Sequence, residues 1–336
     1  MTGVQTCGLP ILCTSEELFA LYFYNTYKAK VKWTSKEIDI FLHQLRLLLV
    51  NTPELYFGPI ENLRTNLNRF KDSLNYQTLI RLVYLNFLEE KNKQSVRVIV
   101  DKQIKYLFHL KLMKEIFPDS RIILLTRDIR ENVVSKCKRK INGQENKMFH
   151  AGTWNFTYEQ TDELHHLYPE SVLIIHYEDL VRKTKETLNI ICCFLNIKYT
   201  DEMLRFNEYF KEFIGFKKNA ITPAFKNSID EFHENMFRPV NQENLETWKL
   251  KLDSVTAKKI STIGYKTGKQ LGYDFENPIG LKKLNLNDRM LIFKAKIVTK
   301  YLFNFYLSLP LKIKLAIKKI RYNSSVKTYY SYTNEK

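Results

Sequence analysis

Glycine and proline are scarce in this chain, ten and nine among 336 residues, and no Ser/Gly-rich stretch interrupts it. That scarcity excludes a linker-dominated protein and leaves little room for a long flexible hinge. No internal repeat is present, which excludes a solenoid. Cysteine is confined to Cys7, Cys13, Cys137, Cys192 and Cys193. This odd set has no paired metal-ligand spacing, so it reads as reduced thiols in a cytoplasmic protein, with no metal expected. Adjacent Cys192 and Cys193 should face different sides of a helix. The histidines His109, His150, His165, His166 and His176 show neither metal spacing nor a triad companion and read as structural. No apolar run approaches the ~20 residues needed to cross a bilayer, the nearest being Tyr301 to Leu311, which contains Pro310.

What the chain has is apolar bulk and positive charge. At 44% apolar and 13% aromatic it can bury a substantial core, and one main domain with an appendage fits its length. The formal charge of +17 is unevenly spread. Residues 281–336 hold eleven Lys and two Arg against Asp288 and Glu335, a surplus of eleven. The remaining surplus on the rest of the chain still suits an anionic cofactor or substrate. Residues 2–11 (TGVQTCGLPI) resemble a translated sequencing adapter except at Gly8. The expectation is therefore a non-native scar over 1–11, native sequence from about Leu12, and a stretch lost upstream.

Helix formers with apolar residues at three and four spacing run from Glu16 to Leu49, with Ser35 as the expected cap of a helix reaching Leu49. Gln77 to Glu90 reads as another helix, and Asn51 to Pro59 between them as a loop. The pattern then changes to short β-branched strands at Val96–Val100, Arg121–Thr126 and Val172–His176. These alternate with helices at Ile104–Ile116, Glu131–Arg139 and Leu180–Leu195. Such alternation implies an α/β fold, a parallel sheet in three layers with helices on both faces, and strands buried on both sides. Ligands of such sheets sit beyond the carboxyl ends of the strands. One rim should therefore gather Asp101-Lys102, Arg127-Asp128 and Tyr177-Glu178-Asp179.

Arg127 ends a strand just before a helix, where free amides and the positive end of the helix dipole favour an anion. Ser135, farther along that helix, offers a hydroxyl. The bland alternative is a surface Arg127-Asp128 pair and an ordinary helix serine. Read together, however, the segment from Phe117 to Ser135, FPDSRIILLTRDIRENVVS, closely resembles the 3′-phosphate-binding segment of sulfotransferases. Ile129 replaces the usual proline and Glu131-Asn132 the usual Asp-x. The run from Tyr168 to Leu180, continuing to Phe194-Leu195, is similar to the family's third strand, its Tyr-Glu-Asp-Leu turn and the helix after it.

The resemblance runs from about Val96 to Tyr273 and is closest to bacterial and carbohydrate-type members. It implies a P-loop-type fold over 12–275 and adenosine 3′-phosphate 5′-phosphosulfate (PAPS) as cofactor. By the same resemblance Arg127 and Ser135 bind its 3′-phosphate and Tyr177 stacks on its adenine, against the plainer reading that Tyr177 plugs the strand end. Trp154 falls where the family often has a tryptophan and reads as core. Arg238 and Lys249, in a segment resembling the family's closing loop, are candidate lid cations, with surface solvation as the alternative. The family's first strand and its Gly-rich Lys-Ser-Gly-Thr-Thr type phosphosulfate turn have no counterpart in the sequence. The expectation is a truncated, inactive chain.

Near the reacting centre the family often carries Lys-Thr-Pro or Lys-x-His, where this chain reads Asp101-Lys102-Gln103-Ile104. Lys102 is the candidate to neutralise leaving-side charge and Asp101 the candidate base, unless the two form a solvated pair. The expected function is sulfuryl transfer from PAPS to a hydroxyl or amine acceptor, with carbohydrate preferred. The alternative is a non-catalytic basic protein on the same fold that binds a membrane surface or anionic partners. The tail at 281–336 reads as basic amphipathic helices that either pack on the domain or, through 289–320, touch the inner membrane face. No nucleic-acid-reading module accompanies the charge, and a P-loop kinase is disfavoured because the lysine loop and metal-ligand pattern are absent.

Overall fold

A computed structural model describes residues 11–14, 18–49, 57–87, 96–138, 146–208, 237–275, 278–280 and 283–320. The N-terminal part holds strand β1 (Ile11–Thr14), one-turn helices α1 (Phe19–Tyr22) and α2 (Tyr24–Tyr27), and helices α3 (Ser35–Leu49), α4 (Ile60–Arg69) and α5 (Tyr76–Leu85). Then come β2 (Val98–Asp101), a 3₁₀ turn (Ile104–Phe108), α6 (Leu110–Ile116), β3 (Ile122–Thr126), α7 (Ile129–Lys138), α8 (Lys147–Tyr158) and α9 (Thr161–Leu167). Next are β4 (Val172–His176), α10 (Tyr177–Arg182), α11 (Thr184–Leu195), α12 (Trp248–Lys251) and α13 (Ser254–Gln270). The chain closes with α14 (Leu286–Lys296), a π-helical segment (Ile297–Leu302), α15 (Phe303–Ser308) and α16 over 311–320.

Strands alternate with helices and pair in parallel, so the class is α/β. β1 runs beside β2 from Ile11↔Val98 to Thr14↔Asp101, and β3 beside β4 from Ile122↔Val172 to Thr126↔His176. Only Ile11 of β1 falls in the 1–11 stretch set aside; Leu12–Thr14 lie in the part read as native, where no strand was expected. The β-branched and aliphatic Ile11-Leu12 beside Cys13 suits a strand once Val98–Asp101 offers a ladder. β3 departs from burial on both faces: Leu124 and Thr126 are buried, whereas Ile123 and Leu125 are exposed. A strand covered on one face only alternates in this way.

Local chemistry sets several element ends. Thr34, rather than the expected Ser35, caps α3: its Oγ1 accepts from the Glu37 amide at 3.3 Å while Glu37 Oε2 accepts from the Thr34 amide at 2.8 Å. This is a reciprocal capping box. Ile104–Ile116 is not one helix, because His109 adopts φ −137° and separates the 3₁₀ turn from α6. Leu180–Leu195 is broken likewise at Lys183, with φ −130°.

One apolar core gathers Phe19, Phe23, Phe41, Leu45, Leu67 and Leu79 with Tyr106, Ile116, Leu307, Leu311 and Leu315, so α16 and the end of α15 close the N-terminal helices. A second joins Ile129 and Val133 of α7, Trp154 of α8, Ile260 and Ile263 of α13, and Phe275. Each fully buried large side chain contributes roughly 1.5–3 kcal/mol. A Cβ on Gly152 would stand 2.9 Å from Ala295 Cβ, so α14 lies directly against α8 only because position 152 has none. The tail therefore packs on both cores. No helix among the described residues is long and apolar enough to cross a membrane.

Candidate functional site

The carboxyl ends of β3 and β4 lie side by side, since Thr126 pairs with His176. Arg127 follows Thr126 and Tyr177 follows His176, which brings the two candidates together: the Arg127 guanidinium lies 4.5 Å from the centroid of the Tyr177 ring. The aromatic face stabilises the cation. Arg127 Nη2 donates to the Asn244 carbonyl at 2.5 Å and to Glu131 Oε2 at 3.3 Å. Its Nε is buried with no hydrogen-bond partner. A buried donor left without an acceptor is costly in a folded chain and marks a place for one.

Glu131, on the first turn of α7 and only 2% exposed, organises the surroundings. Its Oε1 accepts from the Thr247 hydroxyl at 2.6 Å and from the Trp248 amide at 2.7 Å. Segment 244–248 is thereby fastened over the arginine. Arg130 donates from Nε and Nη2 to the Asp128 carboxylate and lies 3.9 Å from the Trp248 ring centroid and 5.2 Å from that of Phe275. Beneath the arginine, the Trp154 indole donates to the Arg127 carbonyl at 3.0 Å and the Tyr158 hydroxyl to the Leu125 carbonyl at 3.0 Å. Trp154 is core, as expected, and it also fixes the backbone that carries Arg127.

One amide at the start of α7, that of Arg130, is already taken. Asp128 Oδ1 accepts from the Arg130 amide at 2.7 Å, and the Asp128 amide donates to Glu178 Oε1 at 3.0 Å. Asp128 caps the helix itself, and Glu178 Oε2 accepts from the Tyr273 hydroxyl at 3.1 Å. Burial, and secondarily the Glu178 charge, push the Tyr273 phenol well above its ordinary pKa. The Leu271-Gly272-Tyr273 turn seats this phenol against the strand ends. Gly272 makes the turn at φ +82°, and the Leu271 carbonyl lies 2.6 Å from His176 Nε2.

The remaining candidates are placed as follows. Ser135 lies half-buried on α7, four residues beyond Glu131 and so on the same side of the helix. Lys249 donates to Glu246 at 2.7 Å, and Arg238 lies 3.7 Å from Glu243. Residues 209–236, including His233 to Met236 of the presumed closing segment, fall outside the described residues. Asp101 and Lys102 belong to the β1–β2 pair. Asp101 Oδ2 accepts from the Tyr106 hydroxyl at 2.7 Å and from the Tyr84 hydroxyl, while Lys102 is exposed. Burial, reinforced by the Asp101 charge, raises both phenols well above their ordinary pKa. The Asp101 carboxylate is thus engaged by two phenol donors. Sequence reasoning missed Asn244 altogether and gave no site role to Glu131, nor to Trp248 and Tyr273, which it read only as part of a closing segment. Glu131 could have been found from its place one helical turn after Arg127, but the other three come from segments more than a hundred residues away.

The fold and this niche define an α/β protein with a partly satisfied arginine, backed by an aromatic ring, at the carboxyl ends of two parallel strands. Residues 51–201 match the model of the sulfotransferase family. The chain is 27% identical to protein-tyrosine sulfotransferase 1 of Danio rerio over 186 residues, 52% of this chain and 50% of the relative. It is 28% identical to a putative protein-tyrosine sulfotransferase of Caenorhabditis briggsae over 174 residues, 47% of this chain and 57% of the relative. The chain thus spans about half the length of these curated relatives. Among solved structures it resembles the sulfotransferase domain of the Synechococcus PCC 7002 olefin synthase, at TM-score 0.44 and 14% identity, over 70% of this chain and 91% of that one.

Proposed function

We propose that the niche at Arg127 receives the 3′-phosphate of PAPS, and that the protein transfers the donor's sulfuryl group to a hydroxyl or amine acceptor, carbohydrate first among them. The observation that carries this reading is the buried, partnerless Nε of Arg127 beside the Tyr177 ring. A phosphate oxygen meets the requirement, since charge-assisted bonds to guanidinium are among the strong ones. Ser135, on the Glu131 side of α7, adds a hydroxyl donor. Tyr177 offers a flat face for the adenine if the arginine swings onto the phosphate. PAPS, if bound there, would supply the sulfuryl group: the acceptor oxygen or nitrogen would bond to sulfur as the S–O bond to the 5′-phosphate breaks, the acceptor's proton passing to a base and adenosine 3′,5′-bisphosphate leaving.

The chain's own residues bind and orient. Glu131 holds segment 244–248 over the arginine through Thr247 and Trp248, which limits water at the phosphate. Lys102, exposed at the end of β2, is available to neutralise leaving-side charge. Asp101 remains a candidate base, engaged by its two phenol donors. A second acceptor reading is favoured by the relatives named protein-tyrosine sulfotransferases: a tyrosyl hydroxyl on a polypeptide.

The test is incubation with sulfur-labelled PAPS and two acceptors, a desulfated polysaccharide and a tyrosine-containing acidic peptide. Label on the polysaccharide supports the first acceptor and label on the peptide the second. Tight bisphosphate binding without label on any acceptor would favour the non-catalytic alternative, and absence of bisphosphate binding would overturn the donor site itself.

A further inference from the structure

The helical run from α14 through the π segment to α15 has two apolar faces. One, with Ala295, Thr299 and Leu307, is buried against the protein. On the opposite side Leu286, Met290, Phe293, Tyr301 and Phe305 are each more than half exposed. Their spacing of three and four residues, with half-buried Ile297 between, makes one continuous stripe. Three successive four-residue steps would drift about 120° around a straight α-helix, and the wider turn of Ile297–Leu302 takes up part of that drift.

Charge flanks this stripe with one sign only. Arg289 and Lys294 are exposed, and half-buried Lys296 lies on the Arg289 side. The one carboxylate between 283 and 320, Asp288, is buried and accepts from Lys259 at 2.8 Å. A large apolar stripe with basic borders is the pattern of a helix lying in the plane of a membrane interface, its apolar side at acyl-chain depth and its cations at the headgroups. Nucleic acid would answer the charge but leave Leu286, Met290 and Phe293 without a partner.

We infer that the outer face of 286–305 docks on an anionic lipid surface, and that the buried opposite face holds the protein body against the bilayer. This docking stands apart from the donor-site reading, because none of its residues lies in the Arg127 niche.

The test is co-sedimentation of the full chain with phosphatidylcholine vesicles, with or without roughly a quarter phosphatidylserine. The expected result is a partition at least about tenfold higher on the anionic vesicles, reduced about tenfold by Phe293→Ser with Phe305→Ser and again by Arg289→Glu with Lys294→Glu. Leu167→Ser, at an exposed apolar site on α9, should bind as the parent does, and melting temperatures should match throughout. Equal partition onto both vesicle types overturns the proposal. So does a phenylalanine double variant that binds like the parent, which would leave charge alone in command, or a chain that ignores vesicles while binding single-stranded RNA.

Discussion

Two cations, buried Lys314 and half-buried Arg127, show how the same physical problem is solved for structure in one region and left open in the other. Lys314 is 1% exposed in the core that α16 closes. Its ammonium donates to the Tyr22 carbonyl at 2.8 Å and the Leu307 carbonyl at 3.2 Å, tying the tail to the first helices. Burial still holds its amine down at about 8. Arg127 has a carboxylate and a carbonyl on one nitrogen, an aromatic face beneath, and a buried Nε with nothing to donate to. Backbone oxygens that close around a cation make a strut. A cation with an orphaned donor at the ends of parallel strands is built to meet something else.

Substitutions can sharpen that contrast. Arg127→Ala should have the largest effect, lowering affinity for adenosine 3′,5′-bisphosphate about a hundredfold as charge-assisted bonds are lost, which titration calorimetry reads directly. Glu131→Ala strands the Arg127 charge, the Trp248 amide and the Thr247 hydroxyl together. Denaturant unfolding should show a loss of about 3 kcal/mol, with the 244–248 segment loosened.

Lys314 makes a prediction in pH. Its folded pKa is about 8 against an ordinary 10.5, so between those values the unfolded chain carries more protons. Stability from this group is therefore lowest below pH 8 and rises through the window. Lys314→Met should flatten that rise in unfolding curves taken across it, whereas Arg127→Ala should leave the slope in place. Ser135→Ala should weaken bisphosphate binding by up to about tenfold without shifting the melt. Smallest of all, Lys249→Ala should change neither stability nor binding measurably, because its ion pair with Glu246 is exposed.

The contrast also explains what could be read from the chain before any coordinates. β4 falls on Val172–His176 and β3 begins one residue inside the expected Arg121–Thr126, because continuous β-branched runs bounded by turns have few alternatives. Arg127 and Tyr177 were legible as neighbours because parallel strands of known register align their ends. The breaks at His109 and Lys183 were not, since nothing in those apolar patterns interrupts the helical period; tertiary packing chose them. One of the helix amides expected to face an anion, that of Arg130, is taken by Asp128, a residue legible only as a surface partner. Asn244, Trp248 and Tyr273 reach the niche from far along the chain, and no local spacing announces a contact at that separation. Lys314 gave no signal either: one lysine among the many of the tail looks solvated until the helix that bears it is folded back.

The account turns on whether the orphaned donor of Arg127 serves a 3′-phosphate. The decisive measurement is the affinity ratio between adenosine 3′,5′-bisphosphate and 5′-AMP, taken by calorimetry at fixed low salt for the parent chain and for Arg127→Ala. A strong preference for the bisphosphate in the parent, collapsing toward unity in the variant, is the predicted result. Equal affinities in the folded parent, or a preference that survives the loss of the guanidinium, would contradict it.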